Sequence, residues 1–225
     1  MEPLALLSYY EQKGLMKPSM VRLVRKRLKY VEEGVRRVEE ASSLNYPKYY
    51  IEPRLHLCSD GSVTSLGVFY ARMIPMEFED RIEPMVELSA ALIALGSKYT
   101  IHAVLAHEFL HYVEFAMKLK NFSITSDAPV YSNFEAVYVD EEKLVDPKKV
   151  FRSRSLLNLL KKKFRNGLVD ERLNSKVVRL WIDKGLPTVS TGIEYNFVRI
   201  PVEKLAKVHI DPVLLERLDE LGRDR

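Results

Sequence analysis

The stretch VLAHEFLHYVE, residues 104 to 114, sets two histidines four positions apart, with a glutamate directly after the first. In a helix, residues i and i+4 share one face, one turn apart. His107 and His111 can therefore offer two imidazole nitrogens to one ion, each at about 2.0–2.1 Å. Glu108 is turned by about 100° from His107 on the same helix. It is badly placed to join the same tetrahedron and well placed to reach a water on the metal's open side. A bound zinc brings that water's pKa down toward about 7, and a carboxylate can then take its proton. The chemistry this permits is hydrolysis of a polarised peptide carbonyl, with Glu108 returning the proton to the leaving amine.

A helical pattern must carry these residues, and one is present. From Thr100 to about Asn121, Ile101, Val104, Leu105, Phe109, Val113, Ala116 and Leu119 recur at helical spacing. Upstream, residues 46–95 change texture. YYIEPRLHL and VTSLGVFYARM are rich in aromatic and β-branched residues, SDGS at 59–62 is a turn signal between them, and MVELSAALIAL reads as a strand and a short helix.

The first 45 residues read as helices. One ends near Gly14, and a second enters at Pro18 and Ser19. In the second, Val21, Val24, Leu28, Val31, Val35 and Val38 form a narrow apolar seam, a packing face or a dimer contact. Arg22, Arg25, Lys26, Arg27, Lys29, Arg36 and Arg37 lie off the seam and read as the solvated side of a packing helix. After Pro147 the chain is helical again, through KKVFRSRSLLNLLKKKF and DERLNSKVVRLWIDKG. Strand-like STGIEYNFVRIPV follows, then a last helix with Asp211 as its N-cap.

Strand-like segments followed by a helix bearing His107-Glu108-Phe109-Leu110-His111 resemble the zincin metallopeptidases. The likeness is specific over residues 100–115 and looser from about 65 to 147. It implies an α+β fold whose core is a small mixed sheet plus the active-site helix. Residues 1–45 and 148–225 would be helical segments packed around a catalytic core at 46–147. It also implies Zn2+ on His107 and His111, with Glu108 as catalytic base. A third protein ligand is then required. Metzincins place glycine and histidine three and six residues after the second histidine; Glu114 and Met117 stand there instead. The nearby downstream histidine of SprT-like proteases is missing too, since only His209 follows His111.

Gluzincins use a glutamate on a downstream helix, and Glu135 in SNFEAVYVDEEKLVDP is the residue this implies. Asp140, Glu141, Glu142 and His209 are its rivals. Around it, FEAVYVDEEKLVDP resembles the ligand segment of ImmA/IrrE-like gluzincins, with Leu144, Val145, Asp146 and Pro147 at the closing turn. The family's usual middle residues are replaced by Tyr138 and Val139. Glu114 lies about 10 Å along the axis from His107, too far for the same ion. Tyr131, Tyr195 and His209 are candidates for steadying an oxyanion. His102, five residues before His107, points away from the zinc face, and His56 reads as structural or surface.

The remaining features bound the function. Hydrophobic residues make up 47 % and charged residues 29 %, the balance of a soluble globular protein. No apolar run approaches a membrane span, and the first residues lack a secretory pattern. A single cysteine, Cys58, excludes an intramolecular disulfide, and a cytoplasmic protein is expected. Gln12 is the only glutamine among many Lys, Arg and Glu, a compositional hint of a thermophile. The net charge of +4 permits nucleic-acid contact without requiring it. RSRSLLNLLKKKF and NSKVVRLWIDKGLP offer an alternative from another class, a DNA-binding regulator with a helix-turn-helix-like segment. Lys161, Lys162, Lys163, Arg165, Lys176 and Arg179 would then meet phosphates. The favoured expectation is a zinc metallopeptidase acting on a peptide or protein.

Overall fold

The computed structural model describes residues 2–59, 66–121, 133–137, 145–165, 167–192 and 197–222; at 133–137 it describes the backbone alone. Helix α1 (Ala5–Gln12) leads into α2 (Pro18–Ser42), which begins with Pro18, where a missing N–H costs nothing. It ends at Ser43, in the left-handed region at φ 59°, whose N–H donates to the carbonyl of Glu39. Val21, Val24, Val31 and Val38 are fully buried, and α2 packs on the helices α3 (Ala90–Leu95) and α4 (Lys98–Lys120). The apolar seam is thus an intramolecular face.

Gly34 sets how closely α2 approaches α4. A Cβ there would lie 2.5 Å from Leu105 Cδ1 and 2.9 Å from His102 Cδ2. Two basic residues of α2 tie it to the helices around it. Arg27 donates to the carbonyls of Ile93 and Gly96, and Arg37 reaches Ser155 Oγ and His102 Nδ1.

Among the described residues, five strands precede α4: β1 (Tyr49–Glu52), β2 (Leu55–Ser59), β3 (Leu66–Phe69), β4 (Ala71–Glu77) and β5 (Ile82–Ser89). One mixed sheet has the order β1-β5-β4, with β1 parallel and β4 antiparallel to β5. Its register sets Ile51 opposite Leu88 and Met73 opposite Val86, while Tyr50 and Arg72 both lie opposite Glu87. Alternation therefore gives the sheet two unlike faces. Ile51, Met73, Val86 and Leu88 join the core with α4; Tyr50, Glu52, Arg72, Glu83 and Glu87 point the other way. Every residue of β5 is buried, as expected of a central strand covered on both sides.

A second sheet, β3-β2-β7, includes β7 (Thr188–Thr191), and β6 (Asn133–Val137) pairs antiparallel with β8 (Phe197–Pro201). The strand-like region after residue 187 is thus divided between two sheets. Helices α5 (Pro147–Val150) and α6 (Arg154–Lys163) follow, then α7 (Glu171–Val177), which continues into a π-helical turn at Val178–Ile182. Trp181 in that turn is fully buried and donates to the carbonyl of Pro187 at 3.0 Å. Helix α6 packs on α4, α7 on α3, and α8 (Pro212–Gly222) on α4. The fold is α+β, and its one apolar core draws on Leu7, Val24, Leu105, Leu156, Trp181 and Leu214, from every part of the chain. No described helix is long and apolar enough to cross a membrane.

Candidate metal centre

Helix α4 is the element that carries the motif. Ser97 caps it, its Oγ accepting the Thr100 N–H at 3.0 Å, and Lys118 and Lys120 lie in the last turn, where the helix dipole favours cations. Every residue from Thr100 to Ala116 is buried, so the polar residues of HEFLH sit on a central helix, not on a solvated face.

On that helix the Nε2 atoms of His107 and His111 are 3.1 Å apart, with the rings nearly perpendicular at 88°. Two nitrogens at about 2.05 Å from one tetrahedral ion would lie about 3.3 Å apart. The pair is within hydrogen-bonding distance and close to the spacing of two ligands of such an ion. His107 also stacks on Phe164, with ring centres 4.0 Å apart and planes 9° from parallel. Phe164 is the C-cap of α6, and its N–H donates to the carbonyl of Leu160. The adjoining Lys163 is tied to Asp170 at 2.6 Å. Asp170 also accepts from Thr100 Oγ1 at 2.5 Å and caps α7 through the Leu173 N–H. One carboxylate thereby fixes the start of α4, the end of α6 and the start of α7, and with them the aromatic plane against His107.

Glu108 is 5 % exposed. It lies on the flank of α4 beside Tyr46, whose hydroxyl is held protonated by burial and, secondarily, by the Glu108 charge. That hydroxyl donates to the Leu105 carbonyl at 3.0 Å, and the Tyr46 ring stacks on Phe109. Glu114, one turn past His111, forms an ion pair with Lys118 at 3.1 Å. Tyr112 accepts the Asp211 N–H at 3.3 Å, and burial raises its hydroxyl to about 12. His102 packs against Gly34 and Arg37 on the α2 side, away from the His107–His111 pair.

The third ligand was expected on a helix. Glu135 instead lies in strand β6, opposite Arg199 of β8. A pairing with β8, more than 60 residues later, overrides the helical reading of this segment. The side chain of Glu135 is outside the described part of the structure, as are Asp140, Glu141, Glu142, Tyr131 and Tyr195. His209 is exposed and is held through its N–H by the Ile82 carbonyl at 2.8 Å. Among the described side chains, no histidine, cysteine, aspartate or glutamate completes a three-member group with His107 and His111.

A different group does converge. Glu52, His56 and Glu87 are all buried, and one ligand atom from each lies within 4.8 Å of the others. This group could hold a metal ion. Burial keeps His56 below its ordinary pKa, in the neutral form that ligates, against the pull of Glu87 and Glu52. Its carboxylates are already engaged, however. Arg54 grips both oxygens of Glu52, at 2.8 and 3.1 Å, while Glu87 accepts from the Tyr50 hydroxyl and from Arg72 Nε. Two arginines balance two carboxylates, so an added dication would meet a site that is already neutral. Sequence spacing could not have found this group, because the parallel β1–β5 pairing brings Glu52 and Glu87 together across 35 residues. Phe164 was equally silent, lying 57 residues from the histidine it stacks on.

A cavity of about 480 Å³ opens beside the centre, with His107 and Leu110 in one wall and α5 and α6 in the others. No protein-family model, curated protein or solved structure matches the chain.

Proposed function

We propose that the chain is a zinc-dependent peptidase of gluzincin type, with zinc on His107, His111 and Glu135. The observation that carries this reading is the 3.1 Å convergence of the two Nε2 atoms on a buried helix face, one residue away from a buried glutamate. Zinc bound there would supply a Lewis acid for the substrate carbonyl and an acidified water. The chain's own residues supply the rest. Glu108 accepts a proton at its carboxylate and delivers it to the leaving amine. Its burial keeps bulk water from competing for that proton. Phe164 holds the plane of His107, and the Asp170–Lys163 pair holds Phe164. The adjacent cavity gives a substrate access to the His107 side of the helix.

The test is metal analysis of protein prepared without a histidine tag. About one zinc per chain is expected. It should be lost in His107→Ala, weakened in Glu135→Ala, and kept in Glu108→Gln, which should have lost peptide cleavage. The His56→Ala variant should keep its zinc. Zinc that survives His107→Ala but disappears in His56→Ala would move the metal to the sheet group and remove the peptidase reading.

A further inference from the structure

The cavity beside His107 contains more than the proposed chemistry uses. Its floor is apolar, made by Leu110, Leu157, Leu160 and Phe164. Among the described residues, its rim holds four cations, Lys148, Arg154, Lys161 and Arg165, against a single acid, Asp146. Asp146 is occupied in capping α5, its Oδ1 accepting the Lys148 N–H at 3.0 Å. Positions 154, 157, 158, 161, 164 and 165 recur at three- to four-residue spacing, so α6 and its C-terminal turn present one face to the cavity, with cations alternating with apolar residues.

Some cations elsewhere in the fold are balanced. Arg54, Arg72, Arg81, Lys48 and Lys204 all sit on carboxylates, and so does Lys163, in the same helix as the rim. Among the described residues, none of the four rim cations has an ion-pair partner. Four like charges around an apolar floor repel one another and attract an anion of matching shape. The volume, about 480 Å³, lies within the range of sites that enclose a ligand.

We propose that this cavity is a recognition site for acidic peptide segments: an apolar side chain fills the floor while a neighbouring aspartate or glutamate meets the rim cations. It rests on the peptidase reading only for its sense, since it would place such a segment against His107. The rim cations are exposed and could meet phosphates as well as carboxylates, but an enclosed apolar floor fits an aliphatic side chain and has no use in tracking a phosphate backbone. Peptide is therefore favoured over nucleic acid.

The experiment is fluorescence anisotropy with three labelled eight-residue peptides, identical except for Glu, Gln or Lys at the positions flanking a central leucine. Each is titrated against the zinc-loaded Glu108→Gln protein and against zinc-free native protein, at low and high salt. The Glu peptide should bind at least tenfold tighter than the Gln peptide, with the margin shrinking in high salt, and the Lys peptide should bind weakest. Lys161→Glu with Arg165→Glu, both exposed positions, should abolish the preference while leaving the melting temperature and the zinc content unchanged. Equal affinity for the Glu and Gln peptides, no binding of any peptide, or tighter binding of a duplex DNA 20-mer lost in the same double variant would each overturn the proposal. Discrimination by a native protein that takes up no zinc at His107 and His111 would fell the peptidase reading alone. Zinc on His107 and His111 without discrimination would fell this proposal alone.

Discussion

Two buried histidine groups lie on opposite sides of the β1-β5-β4 sheet, and they solve the problem of buried polarity in opposite ways. On α4, two imidazole nitrogens approach to 3.1 Å. On the far face, Glu52 and Glu87 are covered by Arg54, Arg72 and the Tyr50 hydroxyl. The first arrangement carries no charge of its own to balance a cation's approach, and its two nitrogens lie within hydrogen-bonding distance of each other. The second already contains its cations. Proximity of ligand-type residues is therefore a poor guide to a metal centre unless the surrounding charge is counted as well.

The largest effect that would sharpen this contrast is on metal affinity. Replacing His107 with alanine should weaken zinc binding by more than about 100-fold, since even outer-shell losses cost about 10–100-fold. His56→Ala should change it by less than about threefold, both read by competition with a chromogenic chelator. A reversal of the two results would assign the ion to the sheet.

Stability should show the opposite ranking. Arg54→Leu leaves the Glu52 carboxylate, 3 % exposed at its side chain, without its bidentate partner. Breaking a fully buried pair costs about 3–5 kcal/mol, and because Arg54 itself is 43 % exposed the expected loss is about 2–3 kcal/mol. Urea unfolding measures it, and zinc should not restore the loss.

A smaller loss is expected at the α2–α4 contact behind the candidate centre. Gly34→Ala adds a methyl 2.5 Å from Leu105 Cδ1. Overpacking costs about 1–3 kcal/mol and the better helix former returns up to about 1 kcal/mol, so a net loss of about 1–2 kcal/mol is expected in the same assay. A gain in stability would show that the two helices separate freely.

The smallest effect is that of pH. Burial first, then the Arg37 and Lys98 charges, hold His102 below its ordinary value of 6.5. The unfolded chain then binds more protons than the folded one on the acid side of that value. Stability from this group is complete above about pH 6.5 and is lost as pH falls through the lower folded value. His56 shifts in the same direction. His102→Gln should therefore remove only part of the decline in urea midpoint between pH 7.5 and 5.5, a difference under about 1 kcal/mol.

What could be read from the chain follows the range of the interactions. The α2 seam, the helix entry at Pro18, the cap at Asp211 and the helix bearing HEFLH depend on neighbours within four residues, and all were legible. The strand and short helix in MVELSAALIAL were legible for the same reason. At Glu135 the helical expectation failed because a strand partner beyond residue 196 decides its conformation. The Glu52–His56–Glu87 group and the Phe164 stack are products of chain crossing, and nothing within four residues of them announces it; of the basic cavity, only the cations at the end of α6 showed in the sequence.

The complete burial of α4 from Thr100 to Ala116 has a kinetic meaning. Amide hydrogens in the middle of this helix have no local route to solvent and should exchange only when the whole domain opens. A metal held by His107 and His111 would then be released through one of two doors. Either the domain unfolds, or the ion leaves through the cavity that already opens on the His107 side, past Phe164. The rate at which chelators strip the ion, compared with the slowest amide exchange in α4, would tell which door opens first.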